Sequence, residues 1–294
     1  MVAEPNLEQD TRREARRGPS RARVALRLCA LFLVSGALFP LALTTRLAYA
    51  LGARRRAIAW SAAVQALWAR ASLAAAGIAL EVEGEVPPGA HLVCANHQSY
   101  VDVLVLAAGL PGRFVAMREI AGWPLLGWLA KSSGTIFVDR ERQRDLLVVG
   151  PRLVETLAAG VSVLFFPEGK SGSGESLQPL RTPLFEAAVR AGVPCLPVAV
   201  RYSTPGIPWS TAWTVAWWGG MDLPRHIFRL LALPRIIARV SVAGPALCGA
   251  DRKELAAAVA CNLASAAPAV SLAPEPPDNP WSPEWRAAHA DDGR

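Results

Sequence analysis

The chain has 294 residues, enough for one large domain or one domain with an accessory piece. Its net charge is +7, yet 52% of its residues are hydrophobic and ten are Trp, which argues against a nucleic-acid protein and turns the basic excess toward a membrane surface. The five cysteines (Cys29, Cys94, Cys195, Cys248, Cys261) form no C-x-x-C pair, which argues against a disulfide frame or a zinc site and for small buried residues in a reducing compartment.

Residues 1–23 are polar and arginine-rich and read as a disordered arm that can lie on anionic lipid. Leu28 to Thr44 then runs seventeen residues without a charge, at the short limit for spanning hydrocarbon, with Pro40 as an expected kink. Arg54-Arg55-Arg56 follows, and then an alanine- and leucine-rich helical segment, Ala57 to Leu80. Arginines flank the first apolar run on both sides. Two solutions follow for residues 24–80: a monotopic helical hairpin dipping into one leaflet, which we favour, or a single spanning helix.

Glu81 to Gly89 reads as a polar link into an α/β region over residues 81–267. Expected strands are His91–Ala95, Arg113–Met117, Thr135–Asp139, Val161–Phe166, Cys195–Arg201 and Ala238–Val242. Expected helices are Tyr100–Ala108, Leu125–Ser132, Glu141–Ala159, Leu184–Ala191 and Lys253–Ala266. The alternation predicts an α/β fold with a mostly parallel central sheet flanked by helices, behind an N-terminal membrane-embedding helical pair. Trp209 to Leu233 has no clear period and reads as a lid or a second membrane-facing surface. The Pro-rich segment 268–294 reads as a disordered tail.

The densest chemistry lies in His91 to Asp102, HLVCANHQSYVD. A buried strand ends at Asn96-His97 and a helix can open at Ser99, which is where open α/β sheets bind ligands. Asp102 is placed to reach one imidazole nitrogen of His97 and leave the other for substrate, the arrangement of a general base. Ser99-x-x-Asp102 equally fits a capping box that only satisfies free helix N–H groups.

Further candidates follow at other strand ends. Val138-Asp139-Arg140 sets a guanidinium at the sheet's edge, suited to phosphate or to a surface ion pair. Phe166-Pro167-Glu168-Gly169-Lys170-Ser171 mimics the end of a nucleotide-binding loop, but its first glycine would fall on Leu164, inside a strand, so the phosphate cradle is not expected. Glu168 can bond a substrate hydroxyl or orient its loop. No G-x-S-x-G elbow is present, so a covalent acyl-enzyme is not indicated. A His–Asp pair without its own nucleophile suits direct attack by a substrate hydroxyl on an activated acyl group.

Assembled, these stretches resemble the glycerolipid acyltransferase family, most closely its bacterial 1-acyl-sn-glycerol-3-phosphate branch. Asn96-His97 through Asp102 matches N-H-x-x-x-x-D. Arg118-Glu119-Ile120, Pro124, Gly127 and Gly134 to Arg140 match the second motif, Phe166-Pro167-Glu168-Gly169 the third, and Val193-Pro194 with Leu196-Pro197-Val198 the fourth. The resemblance implies transfer of an acyl group from acyl-CoA or acyl-carrier protein, as co-substrate, to a lysophospholipid at a membrane, with no metal and no other cofactor. It implies His97 as base and Asp102 as its partner, with Asn96, Arg140, Glu168 and Gly169 at the acceptor. Where the family carries F-P-E-G-T-R-S, Lys170 and Ser171 stand here, so Lys170 or Arg181 would supply the charge. The inner membrane's cytoplasmic face is the expected location. Acylation of another lysolipid such as lyso-ornithine lipid, or a non-catalytic lipid-binding scaffold, are the alternatives.

Overall fold

The computed structural model describes residues 21–123, 126–138, 145–267 and 269–272. Pro124, Asp139 and Arg140, the basic arm up to residue 20 and the tail beyond residue 272 lie outside the described residues.

Helix α1 (Arg21–Ala50) is thirty residues long, about 45 Å at about 1.5 Å per residue. It continues on both sides of Pro40, so the proline does not end it. A turn at Leu51-Gly52 reverses the chain into α2 (Arg54–Ala76). The two helices pack side by side, and two indoles staple them: Trp60 Nε1 donates to Thr44 Oγ1 at 2.7 Å and Trp68 Nε1 to Ser35 Oγ at 3.2 Å. Leu26, Phe32, Leu33, Leu47 and Leu67 stay exposed, so an apolar flank of the hairpin has no protein cover. Among the described residues α1 is the helix long and apolar enough to cross a bilayer.

Gly77 ends α2 in the left-handed region, φ 75°. The chain then enters β1 (Ile78–Glu83), where the sequence reading had put the end of a helix and the start of a polar link. The I-A-L-E-V-E alternation and Gly77 were the overlooked signals. The same glycine seats the hairpin, because a Cβ there would collide with the Arg27 guanidinium. Arg27 donates to the carbonyls of Leu231 (3.0 Å), Leu233 (2.6 Å) and Pro234 (2.9 Å), and Arg23 to that of Ala232 (2.9 Å). Arg23 therefore belongs to a docked helix and not to the basic arm.

The remaining elements alternate as expected. They are β2 (Leu92–Ala95), α3 (Val101–Gly109), β3 (Gly112–Met117), a 3-10 turn (Arg118–Gly122), α4 (Leu126–Ser132) and β4 (Ile136–Val138). After these come α5 (Asp145–Ala158), β5 (Ser162–Phe165), α6 (Phe185–Ala191), β6 (Cys195–Ser203), α7 (Thr211–Thr214), α8 (Leu223–Ala232), β7 (Ile236–Val242) and α9 (Arg252–Ala266). The strands form one sheet in the order β1-β7-β6-β2-β5-β3-β4, parallel at every pairing except β6 with β7. Central β2 is buried along its length. Val93 and Ala95 enter the core shared with α1, α2, α3 and α8, while Leu92 and Cys94 enter the one shared with α5, α6 and α9. A strand buried on both faces reads as a continuous apolar run, which is why L-V-C-A was legible as sheet centre.

Segment 209–233 is neither an open lid nor a bare apolar surface. Its indoles bond inward: Trp213 to the Leu272 carbonyl, Trp217 to Met221 and Trp218 to Ala212, at 2.7, 3.0 and 2.8 Å. Asp222 caps α8 through the Arg225 N–H at 2.9 Å. Val270 N–H donates to the Gly174 carbonyl at 2.9 Å, pinning the start of the tail.

Candidate active site

Where β2 ends, Asn96 turns inward. Its Nδ2 donates to the Val200 carbonyl at 3.0 Å and its Oδ1 accepts the Val200 N–H at 2.7 Å. Both halves of the amide are thus engaged, clamping β2 to β6. This is a strand tie, and Asn96 does not line the cavity beside His97.

His97 follows, partly exposed at 18%. Its backbone is held twice: its N–H donates to Glu168 Oε1 at 2.7 Å, and its carbonyl accepts from Gly172 N–H at 2.9 Å. Glu168 Oε2 accepts the Gln178 N–H at 2.8 Å. Of the two roles open to Glu168, the geometry is that of loop orientation, since each of its oxygens holds a backbone N–H. Burial raises the Glu168 pKa, opposed by those two N–H bonds.

The His97 ring stacks on Phe166, centroids 3.9 Å apart and planes 12° apart, and Phe166 in turn stacks on Phe114. His97 Nδ1 lies 2.7 Å from Asp102 Oδ2. That oxygen also accepts the N–H groups of Gln98 (2.7 Å) and Ser99 (2.8 Å). Asp102 therefore performs both jobs that the sequence left open: it satisfies N–H groups at the start of α3 and it holds the imidazole. Its other oxygen accepts from Tyr202 Oη at 2.5 Å. Asp102 is wholly buried, and its carboxylate is engaged by four partners: the His97 ring, the Gln98 and Ser99 N–H groups and the Tyr202 hydroxyl.

Tyr202 was missed from sequence. It sits near the end of β6, a hundred residues from Asp102, and no local pattern joins them. Burial, and next the Asp102 charge, push its phenol well above the usual range, so it stays a donor.

With Nδ1–H directed at Asp102, Nε2 is the nitrogen left for chemistry. His97 lines an apolar cavity of about 380 Å³ walled by α1, α2, α3, β3 and the loop after β5. Gly169, at φ 85°, and exposed Lys170 reach that wall, as do Tyr100 and Trp217. Arg181 does not line it; its backbone N–H donates to the Pro167 carbonyl at 2.8 Å. Gly169-Lys170-Ser171 makes no phosphate cradle, because Leu164 is a buried strand residue and Ser171 Oγ donates to the Trp217 carbonyl at 2.5 Å. No cluster of three or more metal-binding side chains exists among the described residues. Cys94 and Cys195 are free and fully buried in the core, whereas Cys29, Cys248 and Cys261 are free but exposed, so burial holds for only two of the five cysteines.

A family model described as Acyltransferase matches residues 79–201. The chain is 36% identical over 187 residues to the 1-acyl-sn-glycerol-3-phosphate acyltransferase of Neisseria meningitidis serogroup B, covering 63% of this chain and 71% of that one. It is 37% identical over 190 residues to the lyso-ornithine lipid O-acyltransferase of Pseudomonas aeruginosa, covering 64% and 72%. It shares a fold with the crystal structure of the 1-acyl-sn-glycerophosphate (LPA) acyltransferase PlsC from Thermotoga maritima. That match has a TM-score of 0.53 at 18% identity and covers 82% of this chain and 96% of that one.

Proposed function

This chain belongs to the acyltransferase family that holds the 1-acyl-sn-glycerol-3-phosphate and lyso-ornithine lipid acyltransferases, and we propose that it moves a fatty acyl group from acyl-CoA or acyl-carrier protein to the free hydroxyl of 1-acyl-sn-glycerol-3-phosphate, giving phosphatidic acid. The observation that carries this reading is the His97–Asp102 pair, 2.7 Å apart, opening on an apolar cavity. His97 Nε2 takes the proton from the acceptor hydroxyl as its oxygen attacks the thioester carbonyl. The C–S bond then breaks, and the imidazolium returns that proton to the departing thiolate. Asp102 fixes the tautomer and stabilises the imidazolium in between. The acyl chain lies in the cavity, and Lys170 at its rim meets the acceptor's phosphate.

The apolar flank of the hairpin meets lipid. Arg54, Arg55 and Arg56 are exposed at its turn, and sinking them turn-first into hydrocarbon would cost about 2.5–3.5 kcal/mol each. The hairpin therefore lies along one membrane face, the cytoplasmic one, instead of plunging into it.

The test is acyl transfer by the purified full chain from acyl-CoA or acyl-carrier protein to lysophosphatidate. Phosphatidic acid should form, and His97→Ala should remove on the order of 10²–10⁴-fold of the rate. Transfer to lyso-ornithine lipid but not to lysophosphatidate would establish the second reading. That reading is favoured by the similarly close lyso-ornithine relative and by Ser171 at the position of the motif's arginine, with the nearest cation, Lys170, one place earlier. A near-normal rate in His97→Ala would refute the mechanism.

A further inference from the structure

The cavity changes character away from His97. Arg113 stands level with Leu92 across β3, β5 and β2, because both pair with Val163. His97 lies five residues beyond Leu92, roughly 15 Å further along the strand direction. Arg113 lies behind this part of the wall without lining it, bonded to Ser61, and the wall here carries polar residues: Thr45 of α1, Ser61 and Gln65 of α2, Ser132 at the end of α4, and Ser133 and Thr135 after it.

This polar end is built. Arg113, only 6% exposed, donates through Nε and Nη2 to Ser61 Oγ at 3.3 and 3.2 Å and through Nη2 to Tyr49 Oη at 2.5 Å. A Cβ on Gly134 would lie 2.8 Å from that guanidinium, so the site closes around it. Thr45 Oγ1 reaches the Ser132 carbonyl at 3.4 Å. Gln65 follows Ser61 by one helical turn on the same face of α2. Two groups on this wall lack partners although buried: Gln65 Oε1, in a residue 9% exposed, and Ser132 Oγ, in one 4% exposed. A buried polar atom left unpaired is destabilising, so a ligand group that pairs it gains affinity.

We propose that this inner end is a subsite for a hydroxyl at the far end of an acyl chain, so that the enzyme selects ω-hydroxyacyl chains over plain ones. The inference rests on the reading that the cavity holds the acyl chain. A hydroxyl has a donor for Gln65 Oε1 and lone pairs for Ser132 Oγ–H, so it suits either unpaired group. A terminal methyl answers neither. A carboxylate would set its oxygens against the Gln65 carbonyl oxygen, and the Arg113 donors that might offset this are turned to Ser61 and Tyr49.

The test is binding, without turnover, of ω-hydroxypalmitate and of palmitate to the full chain in lipid nanodiscs, read by displacement of a fluorescent fatty acid. The hydroxylated acid should bind about five- to tenfold tighter, the gain expected for satisfying a buried orphan group. In Gln65→Leu and in Ser132→Ala that ratio should fall toward one. Both ligands are read on the same sample, so loss of folded protein weakens both signals and leaves the ratio intact. Equal or weaker binding of the hydroxylated acid by the unaltered chain, or a ratio that survives both substitutions, overturns the subsite. Acyl transfer without hydroxyl preference sinks this inference alone; hydroxyl-selective binding without transfer sinks only the acyltransferase reading.

Discussion

Tyr202 Oη stands 2.5 Å from the Asp102 oxygen opposite the one that holds His97. The phenol draws charge from the carboxylate and so sets how strongly the carboxylate supports an imidazolium. Tyr202→Phe should cut kcat by about 3–10-fold and leave the KM for the acceptor little changed, because Tyr202 does not line the cavity beside His97. A kcat equal to that of the unaltered chain, or a loss confined to KM, would reduce Tyr202 to packing.

Asn96 separates a structural from a substrate role. Asn96→Ala leaves the Val200 N–H without its side-chain partner in the core and its carbonyl with only the long 3.4 Å bond from Gln98 Nε2, which should destabilise by about 1–3 kcal/mol. The expected result in thermal melts is a lower Tm, with the acceptor KM unchanged in the protein that remains folded. A raised KM at unchanged Tm would return Asn96 to the acceptor site.

Acid should loosen the α8 region. His226 is buried, and burial lowers its pKa from 6.5 to about 4. Its neutral Nδ1 accepts from Tyr100 Oη at 3.2 Å. Between pH 6.5 and 4 the unfolded chain binds a proton that the folded one refuses. Stability is therefore complete above about pH 6.5 and falls as pH drops through that window, by about 3 kcal/mol in all. Tm measured from pH 7 to 4 should show this slope, and His226→Asn should flatten it.

Arg27→Ala should undock the hairpin. It removes the donors to the carbonyls of Leu231, Leu233 and Pro234, where a cation also suits the helix C-terminus. A loss of about 1–3 kcal/mol is expected, seen as faster protease cleavage near residue 77 in nanodiscs. Gly77→Ala should act in the same direction, because its methyl would take the space of the guanidinium.

Lipid contact can be read at the hairpin turn. With the hairpin lying along the membrane face, a spin label at Leu51, which is exposed, should report a shallow depth close to the headgroups. A depth near the bilayer centre would refute that placement.

Six of the seven strands were legible in the sequence, within a residue or two at each end, because buried parallel strands are short apolar runs between punctuating turns. Strand β1 was not. It follows a long alanine-rich helix without a polar break, and its partner β7 lies more than 150 residues on. The His97–Asp102 pair was legible because five residues of sequence carry it. Tyr202, Gln65 and Arg113 were invisible for the opposite reason: each acquires its surroundings only when distant elements pack. Glu168 was placed correctly in sequence but ambiguously in role, since a carboxylate after a strand looks the same whether a ligand or two backbone N–H groups receive it.

Helix α1 supplies Ser35, Leu38, Phe39, Ala42 and Thr45 to the compartment beside His97. The helix that we propose meets lipid is therefore also masonry of the chamber beside the histidine. Trimming it to obtain a water-soluble catalyst would remove one side of that chamber. On the proposed placement, a bilayer thickness or curvature that tilts this helix would reshape the chamber, and the surrounding membrane would become a working part of the enzyme.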